Sequence, residues 1–131
     1  MVRILTRRSL PLAGLVIAVG LSAALPAMAS DAVRGKAVFA SQCSMCHSPA
    51  KGGPTILGPD LFGVVGRPAA SIKGFNYSKA MKATGYTWSE AQLRTYLPAP
   101  MSVVAGTHMT YAGLKNPGQL DDLIAYLASL K

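Results

Sequence analysis

The stretch "ASQCSMCHSP", Ala40 to Pro49, holds both cysteines of a 131-residue chain, Cys43 and Cys46, with His47 directly after the second. Three chemistries compete for it. A disulfide across a two-residue spacer closes so short a loop that it restricts the unfolded chain very little, and it gives His47 no role. A zinc ion needs about four ligands. Cys43, Cys46, His47 and His108 could supply that number, but adjacent Cys46 and His47 are awkward partners on one tetrahedral ion. Covalent attachment of a haem uses all three residues. The two thiols add to the two vinyl groups of the porphyrin, and the imidazole that follows binds the iron as fifth ligand. That is the reading adopted.

The start of the chain speaks to compartment. "MVRILTRRSLPLAGLVIAVGLSAALPAMAS" has a basic head (Arg3, Arg7, Arg8), an apolar run from Leu10 to Leu25, and a small-x-small end at Ala27-Met28-Ala29. This reads as an export signal over residues 1–29, cleaved after Ala29. An uncleaved anchor is the alternative, since the apolar run nearly reaches spanning length. The Arg7-Arg8 pair leaves both the general and the twin-arginine export routes open. The mature part, 30–131, is one domain. Setting aside Arg3, Arg7 and Arg8 leaves ten basic residues against five acidic ones, a formal charge of +5. Its lysines are scattered, so nucleic acid is excluded as a partner. A mild positive bias suits protein partners or anionic surfaces instead.

The mature chain reads as helices joined by loops. Asp31 to Gln42 is a predicted helix, capped by Asp31, with Val33, Ala37, Val38 and Phe39 as its apolar stripe. Pro49 to Ser71 is rich in glycine and proline and reads as loop. Asn76 to Ala83 is a short helix candidate. Thr87 to Glu90, "TWSE", reads as a capping box opening a helix through Leu97, which Pro98 and Pro100 stop. Pro117 opens a last helix along which Leu120, Leu123, Ile124 and Leu127 recur at helical spacing. So much loop in about a hundred residues buries little apolar surface. A haem would fill the middle. The iron's sixth ligand could come from His108, Met81, Met101 or Met109; Met45 is on the fifth-ligand side.

Beyond the attachment motif, "GKAVF" (Gly35 to Phe39), "GPDLFGVVGR" (Gly58 to Arg67), "GFNYSKAM" with "YTW" (Gly74 to Trp88), "LRTYL" (Leu93 to Leu97), "AGTHMTYAG" (Ala105 to Gly113) and "DLIAYL" (Asp122 to Leu127) follow in order. The chain thereby resembles the class I cytochromes c, the small mitochondrial and bacterial electron carriers. The resemblance implies an all-α fold, three main helices plus short helices and glycine-rich loops wrapped around one haem c bound through Cys43 and Cys46. It implies His47 and Met109 as the iron ligands, with His108 exposed. It implies that the Pro59 carbonyl holds His47, that Tyr77 and Trp88 donate to the propionates with Arg67 as a nearby cation, and that Tyr96 and Thr107 are polar groups beside the methionine. Tyr111 would cover the haem-edge region, and Gly35 and Phe39 would meet Leu123 and Tyr126 where the terminal helices cross.

A closed histidine–methionine site implies a periplasmic one-electron carrier and no enzyme, working as a monomer between respiratory or other redox complexes. The partners implied are a cytochrome bc complex, a terminal oxidase, a photosynthetic reaction centre or a periplasmic dehydrogenase, met by transient docking at the membrane. The alternatives are a haem subunit held in a larger oxidoreductase, or a peroxidase-like catalyst with an open iron. The sequence departs from the mitochondrial relatives in "PAPMSVVAGTHM", Pro98 to Met109, which has no lysine; Met101 and Ser102 stand where basic residues are common, and Met81 where a polar one is. An apolar docking patch is therefore expected.

Overall fold

The structure, a computed structural model, describes residues 30–131. The export-signal reading, with Arg3, Arg7, Arg8 and cleavage after Ala29, lies outside the described residues. Five helices follow one another: α1 (Ala32–Gln42), α2 (Lys79–Ala83), α3 (Glu90–Tyr96), α4 (Pro100–Val103) and α5 (Pro117–Ser129). Three carry the frame and two are short, as expected.

Each helix begins where its capping chemistry dictates. The Asp31 carboxylate accepts from the backbone N–H groups of Val33 and Arg34, satisfying donors that have no partner inside α1. Asn116 caps α5 by accepting from Gln119, and Pro117 follows in the first turn, where its missing N–H costs nothing. Two boundaries differ from the sequence reading. Ser78 caps α2, so Asn76 and Tyr77 lie outside it. Ser89, not Thr87, caps α3, accepting from the N–H of Gln92. Thr87 is held instead in an antiparallel bridge with Pro68, and a residue committed to that ladder cannot also turn into the cap. Pro98 follows the C-cap of α3 and ends it, whereas Pro100, expected as a second stop, opens α4.

The frame is the crossing of α1 on α5, the most extensive helix–helix packing in the fold. The buried face of α1 is Gly35, Val38 and Phe39, the i, i+3, i+4 set. Val33 and Ala37, expected in that stripe, point to solvent; the stripe is centred on Gly35 because the helices touch there. A Cβ on Gly35 would lie 1.9 Å from the Asp122 carbonyl oxygen and 2.7 Å from Tyr126 Cβ. Phe39 packs on Tyr126 with ring centroids 5.4 Å apart. On α5, Leu123 and Ile124 are fully enclosed, each contributing about 1.5–3 kcal/mol by burial.

Polar contacts lock the crossing. Arg34 donates to Asp122 through Nε at 2.8 Å and Nη2 at 3.0 Å, and the Asp31 N–H donates to the same carboxylate at 2.7 Å. These donors hold the Asp122 pKa below its ordinary 3.8. The other side of α5 receives α3, with a half-exposed Arg94–Asp121 ion pair across the joint. The long connection between α1 and α2 is tied near its middle: the Gly63 N–H donates to Leu130 O at 2.6 Å, and Gly66 N–H to Trp88 O at 2.8 Å.

Gly35→Ala forces the two helices apart, and chemical denaturation should show a loss of about 1–3 kcal/mol; an unchanged midpoint would contradict the crossing. Asp122→Asn should flatten the acid limb of stability. The ionised carboxylate stabilises the fold above pH 3.8, and that contribution disappears as pH falls through its depressed folded value.

Candidate functional site

Between α1, α3, α5 and the long loops lies a cavity of about 570 Å³. Its walls include all ten residues singled out from the sequence: Cys43, Cys46, His47, Pro59, Arg67, Tyr77, Trp88, Tyr96, Thr107 and Met109. They come from five separate stretches of chain, and the fold brings them together.

Cys43 ends α1 and donates its N–H to Phe39 O at 2.8 Å, while His47 N–H returns to Cys43 O at 2.9 Å. The attachment loop is thus one tight turn leaving the helix that the Gly35 crossing fixes. No disulfide joins the two sulfurs, and burial, reinforced by the neighbouring Cys46, pushes the Cys43 thiol up to about 11. His47 Nδ1 lies 2.8 Å from the Pro59 carbonyl oxygen. A carbonyl can only accept, so Nδ1 carries the proton. Burial depresses the His47 pKa, against the Pro59 bond and with help from Arg67, so the ring is biased toward neutrality and its Nε2 keeps a free lone pair. The turn beneath the ring requires Gly58, whose Cβ would meet His47 Cε1 at 2.3 Å. In the sequence Gly58 stood only as part of a motif; the Gly58-Pro59 pair, eleven and twelve residues past the histidine, was the signal for this close approach.

A thioether, Met109, also faces the cavity. Met109 Sδ accepts a hydrogen bond from the Tyr96 hydroxyl at 3.3 Å, and the Met109 N–H donates to Thr107 Oγ1 at 3.2 Å. Burial pushes the Tyr96 phenol up, against a hydrogen bond with Thr107. His108, next in sequence, is exposed.

The third group is polar and lies away from both donors in the chain. Arg67 donates through Nη1 to Phe62 O at 2.9 Å and through Nη2 to Asp60 O at 2.7 Å, with the Asp60 carboxylate 3.7 Å away. Arg67 is thereby a fixed cation already partly balanced, more committed to the loop than the sequence suggested. Trp88 pairs with the 66–69 segment, its backbone N–H donating to Arg67 O at 3.0 Å, and its ring stacks obliquely on Tyr96 at 4.9 Å. The Tyr77 phenol is pushed up by burial. Leu61, Val64, Met81, Leu93, Leu97, Leu123 and Leu127 complete the walls.

A cavity of this size through the place where a core should be, apolar on most sides and lined by two thiols, a neutral imidazole and a thioether, fits a haem. The cytochrome c family model matches residues 32–131. Among curated relatives, cytochrome c2 of Rhodomicrobium vannielii is 50% identical over 104 residues, 77% of this chain and 80% of that protein. Cytochrome c of Chlamydomonas reinhardtii is 45% identical over 101 residues, 77% and 90% of the two chains. Cytochrome c-550 of Nitrobacter winogradskyi is 40% identical over 98 residues, 75% and 89%. With its CxxCH cysteines in place to bind haem c covalently, this chain belongs to the cytochrome c family of small haem electron carriers, electron-transfer proteins rather than enzymes.

Proposed function

We propose that the chain is a periplasmic one-electron carrier whose haem c is held between the His47 imidazole and the Met109 thioether. The observation that carries this reading is that both side chains line one cavity, each with a hydrogen-bond partner: His47 Nδ1 lies 2.8 Å from Pro59 O, and Met109 Sδ accepts from the Tyr96 hydroxyl at 3.3 Å. A haem bound there supplies one-electron exchange between ferrous and ferric iron. The protein sets the terms of that exchange. Pro59 fixes the tautomer and strengthens His47 as a donor. The soft Met109 sulfur favours the ferrous state, and the leucine-lined walls exclude water and disfavour the extra ferric charge; both raise the potential. Arg67, Tyr77 and Trp88 offer a cation and donors to the haem carboxylates. Two strong donors leave no open position, which argues against the peroxidase-like alternative.

The proposed location follows from the export-signal reading of residues 1–29. The proposed partners are a cytochrome bc complex, a terminal oxidase, a reaction centre or a periplasmic dehydrogenase, met transiently by a monomer. The exposed residues lining the cavity include Ser41, Gln42, Met45, Leu57, His108 and Thr110, none of them a lysine, arginine or carboxylate, with Met45 81% and Leu57 73% exposed. Such a rim docks by apolar contact rather than by charge.

Two measurements test these assignments. In ferric Met109→Ala the far-red sulfur-to-iron charge-transfer band should vanish and carbon monoxide should bind the reduced protein readily, while the pigment resists acidified organic solvent; a surviving band would reject Met109 as ligand. In a salt series, the partner reaction should slow by much less than the roughly tenfold or greater effect of charge steering. A steep fall would place the docking face on the lysines instead.

A further inference from the structure

The segment carrying Met109 is weakly fastened by its own backbone. Thr107 N–H donates to Val104 O at 3.0 Å and Leu114 N–H donates to Leu97 O at 3.0 Å. Between these two ties, residues 108–113 make no backbone–backbone hydrogen bond among the described residues. The segment has no helix or bridge. Gly113 returns it toward α3, at φ +98°, so close that a Cβ would lie 2.0 Å from Pro98 O. Side-chain contacts hold Met109 to Thr107 in its own segment and to Tyr96 at the end of α3, but neither reaches α1. One tie reaches across to the other side. The Tyr111 hydroxyl donates to Gln42 Oε1 at 3.2 Å. Gln42 is the last residue of α1, immediately before Cys43. Tyr111 is half-buried against the core and lines the cavity with Gln42.

We infer that Tyr111 and Gln42 form a latch that closes the cavity mouth by strapping the Met109 segment to the end of α1. The latch makes Tyr111 and Gln42 positioning residues: they bind no metal, and they set how often the thioether swings away. The inference rests on the reading of Met109 as an iron ligand. An outside ligand that competes with Met109 binds only the open segment, so its apparent affinity scales with the open population. One exposed hydrogen bond gives that population a modest lever, roughly threefold.

The test is a spectroscopic titration of the ferric holoprotein with imidazole. Tyr111→Phe and Gln42→Leu should each tighten apparent imidazole binding by roughly threefold. The double variant should bind no tighter than either single one, since each breaks the same bond. Gln42→Glu keeps an acceptor oxygen and should return binding to the unsubstituted value. Unchanged affinity in the single variants, fully multiplicative effects in the double, or failure of Gln42→Glu to restore binding would each overturn the latch. Met109→Ala separates the two readings. If its imidazole affinity and far-red absorption match the unsubstituted protein, the ligand assignment fails. If they change while Tyr111→Phe and Gln42→Leu have no effect, only the latch fails.

Discussion

The structure depends on a place where a side chain is missing. Gly35 lets α1 approach the backbone of α5 to a distance at which any Cβ would lie 1.9 Å from the Asp122 carbonyl oxygen. Everything that touches the haem site is set out from that crossing. Cys43 leaves the end of α1, and Leu123 and Leu127 form a wall from α5. The first and last parts of the domain are thus joined to each other. The middle of the chain is left to wrap what lies between them. Arg34, Asp31 and Asp122 then hold the crossing in register with charged hydrogen bonds at its open end.

A chain with so much loop can afford a cavity because the cavity is meant to be filled. The protein's own apolar groups close around α5, while Leu61, Val64, Leu93 and Leu97 face a space of about 570 Å³. An empty apolar cavity is destabilising, so the bound group and the fold depend on each other. The loops are held by a small number of deliberate ties instead of by a sheet. Gly66, Arg67 and Ala69 exchange three backbone hydrogen bonds with Tyr86 and Trp88, which presents Arg67 and Trp88 at the wall.

The two donors are prepared differently. His47 is fixed from behind by a carbonyl and from beneath by a glycine, both on a short rigid turn. Met109 sits on an irregular segment and is oriented by hydroxyls of Tyr96 and Thr107. The imidazole is thus held on a tied turn, whereas the thioether sits on a segment without backbone–backbone hydrogen bonds of its own among the described residues. Met45 and Leu57, both lining the cavity, are left exposed.

The local chemistry was legible in the sequence. Cysteine spacing and the adjacent histidine identify the attached group, because few other chemistries use that pattern. The capping aspartate of α1, the proline opening α5 and the leucine period of α5 gave those helices correctly, because each is decided within a few residues. The resemblance to class I cytochromes c supplied residues that spacing alone left open, Met109 against His108 above all. What tertiary structure decided is everything that depends on contact across the chain. Whether Thr87 or Ser89 caps α3 turned on the distant bridge to Pro68. The buried stripe of α1 shifted from Val33 and Ala37 to Gly35 because the position of a partner helix is not written in the helix itself. The engagement of Arg67 by Asp60 and Phe62, the glycine under His47 and the bond from Tyr111 to Gln42 join residues by closeness in space, which a one-dimensional pattern of residue types does not encode.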